Sequence, residues 1–204
     1  MQRKLTNITR WSHVAVSEVL QPGDLAVDLT VGNGKDTLFL FKSVGPDGCV
    51  AGFDIQADAL KNAAELLRNE GADVNLHLED PVQEYPASGV HLILADHARW
   101  SDFVNGSPRA VIANLGYLPG SDHGVVTQIP TTVAALDTAL DTISIGGRLA
   151  VVCYVEHPGG REEAEAVEEL FKRAEKGRFR ILRMGNFLTE NAPFLLVAEK
   201  SRDS

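Results

Sequence analysis

The chain has 204 residues, 44% hydrophobic and 23% charged, a balance that excludes a disordered or fibrous protein and is enough for a sizeable core. Its formal net charge of −9 excludes a protein that is basic overall, so a nucleic-acid partner would have to meet a local patch of Lys and Arg. No run approaches membrane-spanning length, no Cys/His cluster points to a metal, and Cys49 and Cys153 sit in apolar runs that read as buried strands.

The N-terminal Met1-Gln-Arg-Lys-Leu-Thr-Asn7 has no apolar stretch of the kind that directs export, which fits a cytoplasmic protein. From Ile8 to Leu20, residues Ile8, Trp11, Val14, Ala15 and Val19 share one helical face, and Pro22-Gly23 ends the helix. Strands and helices then alternate. Leu25 to Thr30 reads as the first strand, followed by a Gly-rich turn and a helix through about Ser43. Cys49 to Asp54 is the second strand, and Asp58 to Glu70 is a helix of strong formers. Val74 to Leu78 and His91 to Asp96 both qualify as the third strand. Working backward from Gly146-Gly147 decides between them. That turn launches the strand Arg148 to Val155, the helix before it runs from about Pro130 to Ile143, and Arg109 to Asn114 is the fourth strand. His91 to Asp96 is then the third strand, and Val74 to Leu78 is extra, with a short edge strand as one option for it. An acidic-then-basic helix, Arg161 to Lys176, and two strands, Phe179 to Met184 and Phe194 to Lys200, complete the chain.

This order predicts one α/β domain over residues 1–204, with a seven-stranded, mostly parallel sheet, one antiparallel strand from the final hairpin, and helices on both faces. Ligands in such sheets bind beyond the carboxyl ends of the strands, where the winding reverses. That places the chemistry after Thr30, Asp54, Asp96 and Asn114. The segment Asp28-Leu-Thr-Val-Gly-Asn-Gly-Lys-Asp-Thr37 brings an acid and two glycines to the first of these points, and Asp54 follows about 20 residues beyond Gly34, where an acid meets ribose hydroxyls. NAD would call for a third glycine where Thr37 stands, and its pyrophosphate would sit badly beside Asp28. S-adenosylmethionine (SAM) has no phosphate and carries a sulfonium and an ammonium, so the acids favour it. The plainer alternative is a tight turn with no ligand.

Asp28-x-Thr-x-Gly-Asn-Gly-x-Asp-Thr37 with Phe53-Asp54-Ile55-Gln56 resembles the rRNA methylase family, whose members are understood as tRNA 5-(aminomethyl)-2-thiouridine methyltransferases. Asp96-His-Ala-Arg99, Asn114-Leu-Gly-Tyr-Leu-Pro-Gly120 with Asp122, and Tyr154 with His157-Pro-Gly-Gly160 extend the resemblance from about Ile8 to Lys200. It implies a Rossmann-like class I methyltransferase fold, SAM as cofactor, and methylation of the exocyclic amine of a tRNA wobble uridine. On this resemblance Asp28, Gly32, Asn33, Gly34, Asp36 and Thr37 hold the methionine end, Asp54 and Gln56 flank ribose and adenine, and Asp96 and His97 line the adenine side. Asp122 and Tyr154 belong with the acceptor. The implied partners are tRNA at its anticodon region and no membrane, with a homodimer as one option for assembly. Three places depart from the family pattern: Glu156 stands where Gly precedes the His, Asn191-Ala-Pro-Phe194 is shorter than Asn-x-Pro-Pro, and Val74 to Gly89 is long.

Many amine-directed methyltransferases carry Asn-Pro-Pro-Tyr after strand four; here Leu115-Gly116 replaces Pro-Pro. The chemical logic holds. The Asn114 amide oxygen and the Leu115 carbonyl can accept the two N–H bonds of an amine and aim its lone pair, Gly116 leaves room, and Tyr117 can stack on a base. His97, His123 and His157 are candidates to take up the proton. A neutral amine needs no strong base, so positioning by Asn114 should outweigh any one His. Each has a plainer role: Tyr117 as packing, His157 as the shaper of a turn, His123 as a solvated loop residue. Arg3, Lys4 and Arg10, and then Lys172, Arg173, Lys176, Arg178, Arg180 and Arg183, are candidate RNA patches. The second is set against a solvated helix face balanced by Glu162, Glu163, Glu165, Glu168 and Glu169. The competing functions are methylation of rRNA or of a small-molecule amine, and SAM binding without catalysis.

Overall fold

The central strand-forming runs, such as Ala110–Leu115 and Arg148–Cys153, are almost continuously apolar, the pattern of strands covered on both faces. In the computed structural model, which describes residues 5–79, 88–116, 127–174, 177–189 and 191–201, eight strands form one sheet. They are β1 (Leu25–Asp28), β2 (Cys49–Asp54), β3 (Val74–His77), β4 (Gly89–Leu94), β5 (Ala110–Leu115), β6 (Arg148–Cys153), β7 (Phe179–Gly185) and β8 (Phe194–Lys200). Their order is β3-β4-β2-β1-β5-β6-β8-β7. β1 to β6 are mutually parallel, and β8 runs against both β6 and β7, so it is the antiparallel strand expected from the final hairpin. The expected seven strands become eight because Val74–His77 pairs in parallel with β4 as a true edge strand. It takes the edge position that the sequence offers for Val74 to Leu78; at four residues, mostly half-buried, it is too short for a periodic pattern to count it with the seven.

The helices are α1 (Ile8–Ser17), α2 (Lys35–Val44), α3 (Ala57–Asn69), α4 (Ile129–Thr142) and α5 (Gly160–Ala174). Alternating strand residues feed two cores. Val27, Phe53, Ile93, Val111 and Val151 pack with Leu136, Leu140, Val167 and Phe171 from α4 and α5. Ala26, Val50, Leu92, Ile112 and Val152 pack with Val16, Leu40, Leu60 and Leu67 from α1, α2 and α3. A short 3-10 helix, His97–Asp102, is capped by Asp96 and anchored where the buried Trp100 indole donates to the Ala135 carbonyl at 3.1 Å.

Several ends differ from the sequence expectation. α1 stops at Ser17 rather than Leu20, because Val19 and Leu20 both turn their N–H groups onto the Val16 carbonyl. β4 spans Gly89–Leu94 rather than His91–Asp96, since Asp96 already serves as the cap of the 3-10 helix. Two arginines at strand starts tie down α1: Arg148 Nη1 donates to the Ala15 carbonyl and to Glu18 at 2.6 Å each, and Arg109 Nε donates to the Val19 carbonyl at 3.0 Å. The order β2-β1-β5 puts the winding reversal between β1 and β5, so the strand ends at Asp28, Asp54 and Asn114 face one crevice. Among the described residues no helix is long and apolar enough to cross a membrane.

Candidate active site

The crevice holds a cavity of about 360 Å³, the size range of small-ligand sites. One side is built by the β1–α2 turn. The Asp28 carboxylate is fully buried; it accepts from Thr30 N at 3.0 Å and from the Thr37 hydroxyl at 2.6 Å. Burial first, and then the neighbouring Asp36 charge, push its pKa up to about 7. Asp28 therefore shapes the turn from behind; it does not line the cavity, and neither do Gly34 and Thr37. Gly34 adopts φ +73°, and a Cβ there would meet the Ala63 Cβ at 2.7 Å, so this glycine lets α2 and α3 approach. Gly32, Asn33 and Asp36 do line the cavity.

Asp54 ends β2 on the cavity wall. Its two oxygens accept from Gly32 N and Gln56 N at 2.9 Å each, which links the second strand end to the glycine turn. Burial raises its pKa, opposed by those backbone donors. Gln56, Asp96 and His97 stand beside it, with Phe53, Ile55 and Ala95 as an apolar slot. Burial also lowers the His97 pKa, against the pull of Asp96, Glu163 and Asp54. The buried His97 Nε2 has no hydrogen-bond partner among the described residues.

Opposite lies the end of β5. Asn114 N donates to the Thr30 hydroxyl at 2.8 Å, fixing β5 to the β1 turn. The Asn114 side-chain Nδ2 donates to Asp36 Oδ2, and its buried Oδ1 has no partner among the described residues. Leu115, Gly116 and Tyr154 line the cavity beside it. The room at Gly116 serves the protein itself: its φ is +139°, and a Cβ would lie 3.4 Å from the His157 ring. His157 packs there and against Gly160, where a Cβ would meet Nε2 at 2.7 Å; it does not line the cavity. Tyr117, Asp122 and His123 lie outside the described residues.

Two groups escaped the sequence reading. Glu163, grouped there with a solvated helix face, is 2% exposed and accepts from the Thr127 and Thr132 hydroxyls at 2.7 Å each. His13 approaches Asp36 at 2.5 Å. A charged residue in the first turn of a helix and a histidine flanked on its helix by Thr9, Val16 and Ser17 carry no signal of such contacts. Glu156 is exposed and away from the cavity lining. The basic C-terminal stretch is largely paired internally: Lys172 with Glu169, Arg178 with Asp141, Arg180 with Glu199 and Arg183 with Glu168. Lys176, Arg3 and Lys4 lie outside the described residues.

The cavity suits SAM on its own geometry. It joins an apolar slot to a wall of carboxylates from Asp36, Asp54 and Asp96, the surroundings that a cationic, phosphate-free ligand with a ribose and a flat base requires. Fold and pocket together define a class I methyltransferase, the class whose methyl donor is SAM. Residues 50–200 match the family model described as "Putative rRNA methylase"; the chain belongs to that family. A relative in Arabidopsis thaliana, "tRNA (mnm(5)s(2)U34)-methyltransferase, chloroplastic", is 38% identical over 167 residues, which is 78% of this chain and 57% of the relative. The chain thus spans little more than half of that relative's length. The crystal structure of a "putative rRNA-methylase" from Clostridium thermocellum superposes with a TM-score of 0.84 at 33% identity, covering 98% of this chain and 100% of the other. A "putative methyltransferase" from Streptococcus mutans, solved in complex with SAH, gives 0.78 at 32% identity, covering 98% and 99%.

Proposed function

We propose that the protein is a cytoplasmic, SAM-dependent N-methyltransferase that methylates the aminomethyl group of 5-aminomethyl-2-thiouridine at the tRNA wobble position. The carrying observation is Asn114. It lies on the cavity wall with its amide nitrogen given to Asp36 and its buried oxygen without a partner among the described residues. An acceptor in that place suits a nucleophile that brings N–H bonds, such as an amine. The name of the Arabidopsis relative supports the same substrate.

When bound, SAM supplies an electrophilic methyl carbon. The protein's own part is to hold the amine. Asn114 Oδ1 and the Leu115 carbonyl take its two N–H bonds, so the lone pair is aimed in one direction. Asp54 and Gln56 hold the ribose side, Asp96 and His97 the base side, and Gly32, Asn33 and Asp36 the amino-acid side. The apolar slot excludes water and favours the neutral, nucleophilic amine. Tyr154 stands at the rim of the cavity; the roles of Tyr117, to stack on the uracil, and of Asp122, on the acceptor side, rest on the sequence alone. His157 shapes the wall through Gly116 and Gly160; the proton released by the product leaves through solvent.

Nucleoside mass spectrometry of tRNA from cells lacking the gene tests this. Accumulation of unmethylated 5-aminomethyl-2-thiouridine supports the reading, and an unchanged nucleoside profile overturns it.

A further inference from the structure

Asparagine's amide oxygen and nitrogen have nearly the same shape, so a half-turn of the side chain would exchange acceptor for donor. A site that needs the oxygen must forbid that turn. Here Asp36 forbids it. An ionised carboxylate only accepts, and Asp36 Oδ2 takes the Asn114 Nδ2. Its other oxygen, Oδ1, lies 2.5 Å from His13 Nε2. The imidazole ring is itself held flat on Phe39 of α2, with centroids 3.9 Å apart and planes 1° from parallel. Three side chains from α1, α2 and β5 thus form a single line, His13–Asp36–Asn114, with Asp36 9% exposed at its centre.

We propose that His13 and Asp36 are positioning residues that set the polarity of the Asn114 amide, His13 acting through Asp36, so that Oδ1 alone is offered to the acceptor nitrogen. The proposal rests on the reading of Asn114 as the amine-holding group. His13 Nε2 donates to Asp36 and fixes which carboxylate oxygen remains for Asn114; without that donor the carboxylate is free to rotate, and Asn114 with it. A part-buried chain of this kind strengthens its bonds, and outer partners of this type orient the groups that touch ligand. The anchoring of α1 fits the task. Arg148 and Arg109 grip the carbonyls of Ala15 and Val19, and the Thr9 hydroxyl lies 3.3 Å from the Tyr154 hydroxyl at the cavity rim. The helix is held on both sides of His13, so the imidazole is placed against Asp36 by more than its own contact.

Packing and hydrogen bonding can be separated at His13. His13→Phe keeps the flat ring on Phe39 and removes the donor; His13→Gln gives up the ring and keeps an N–H. Two readouts are taken on the full chain. The first is the ¹⁵N–¹H spectrum of the Asn114 side-chain amide, assigned by its absence in Asn114→Ala. The second is steady-state methylation of tRNA carrying the unmethylated aminomethyl group. The wild type is expected to show one Asn114 amide proton shifted downfield and slow to exchange. In His13→Phe that signature is lost and kcat falls on the order of tenfold, while KM for SAM stays within about twofold. His13→Gln restores most of both. Asp36→Asn, which can donate as well as accept, shows two Asn114 orientations in slow or intermediate exchange. The proposal is overturned if His13→Phe leaves the Asn114 amide signals as in wild type, or if His13→Gln is as impaired as His13→Phe, which would mark a packing role. Failure of the wild type to methylate this tRNA would sink the substrate reading instead; the amide signals would then decide the relay by the same two outcomes.

Discussion

Two segments border the crevice, the Asp28–Thr37 turn and the paired ends, Gly116 and Thr127, of the acceptor segment, and they are fastened by different means. The cofactor loop, from Asp28 to Thr37, is held by its own neighbourhood: Asp28 takes the Thr30 N–H and the Thr37 hydroxyl, and Asp54 at the adjacent strand end takes the Gly32 N–H. The acceptor segment is held at its two ends by a clamp from a distant helix. Gly116 N donates to the Thr127 hydroxyl at 3.0 Å, Thr127 N donates to the Gly116 carbonyl at 3.1 Å, and the Thr127 hydroxyl donates to Glu163 of α5. A cofactor shared by a whole class can be met by a turn whose parts are local. On the acceptor side the fixed points are the two ends, Gly116 and Thr127, tied to each other and to α5. The His13–Asp36–Asn114 line joins the two, since Asp36 belongs to the first segment and Asn114 to the root of the second.

The contrast can be broken at either side. The largest effect is expected at the junction: Asn114→Ala should lower kcat on the order of a hundredfold, with the dissociation constant for SAM within about threefold of wild type, measured by single-turnover methyl transfer and calorimetry. On the cofactor side, Gly34→Ala forces a Cβ against Ala63 at a positive φ and should destabilise the fold by about 2–3 kcal/mol in urea unfolding. On the acceptor side, Glu163→Ala leaves the Thr127 and Thr132 hydroxyls without their acceptor. The expected loss is about 1–3 kcal/mol, together with weaker tRNA turnover and unchanged SAM binding.

A subtler effect is expected at Asp28. The folded protein holds the Asp28 proton until about pH 7, whereas the unfolded chain releases it near the ordinary value of 3.8. Folding therefore favours the protonated form, so the contribution of Asp28 to stability is greatest below the unfolded value. It declines as pH rises through that window and is flat above about 7. Melting temperatures of wild type and Asp28→Asn across pH 4 to 8 should diverge with rising pH, the variant showing the shallower decline; parallel curves would show that Asp28 is ionised throughout. The smallest effect is expected at Glu156→Gly, which restores the family pattern at an exposed position away from the cavity and should leave kcat within about twofold.

What was legible in the chain follows the same division. Asp28, the glycine pair and Asp54 announce themselves, because their spacing is set by one strand, one turn and the next strand. Their detailed roles were less plain: Asp28 reads as a ligand of the cationic donor but is sealed behind the turn by Thr30 and Thr37. The alternation of strands and helices was legible from apolar runs. The edge strand Val74–His77 was legible as an extra strand-like run for the edge, but one buried and three half-buried residues are too few for a period to count it with the other seven. Glu163 and His13 were hidden for another reason. Each sits in a helix whose pattern reports which face is buried, and neither pattern reports that a polar group on that helix finds a partner 36 or 23 residues away. Glu163 is in the first turn of α5, where acids are ordinary, and only the tertiary fold shows that this one is enclosed.

The most direct measurement is a crystal structure of the protein with S-adenosylhomocysteine and an aminomethyl-uridine nucleoside together. The predicted result has the ribose hydroxyls on Asp54, the sulfur directed toward the end of β5, and Asn114 Oδ1 within hydrogen-bonding distance of the nucleoside's amine. Thioether bound outside this crevice, or an Asn114 oxygen turned onto protein while its nitrogen meets the amine, would contradict it.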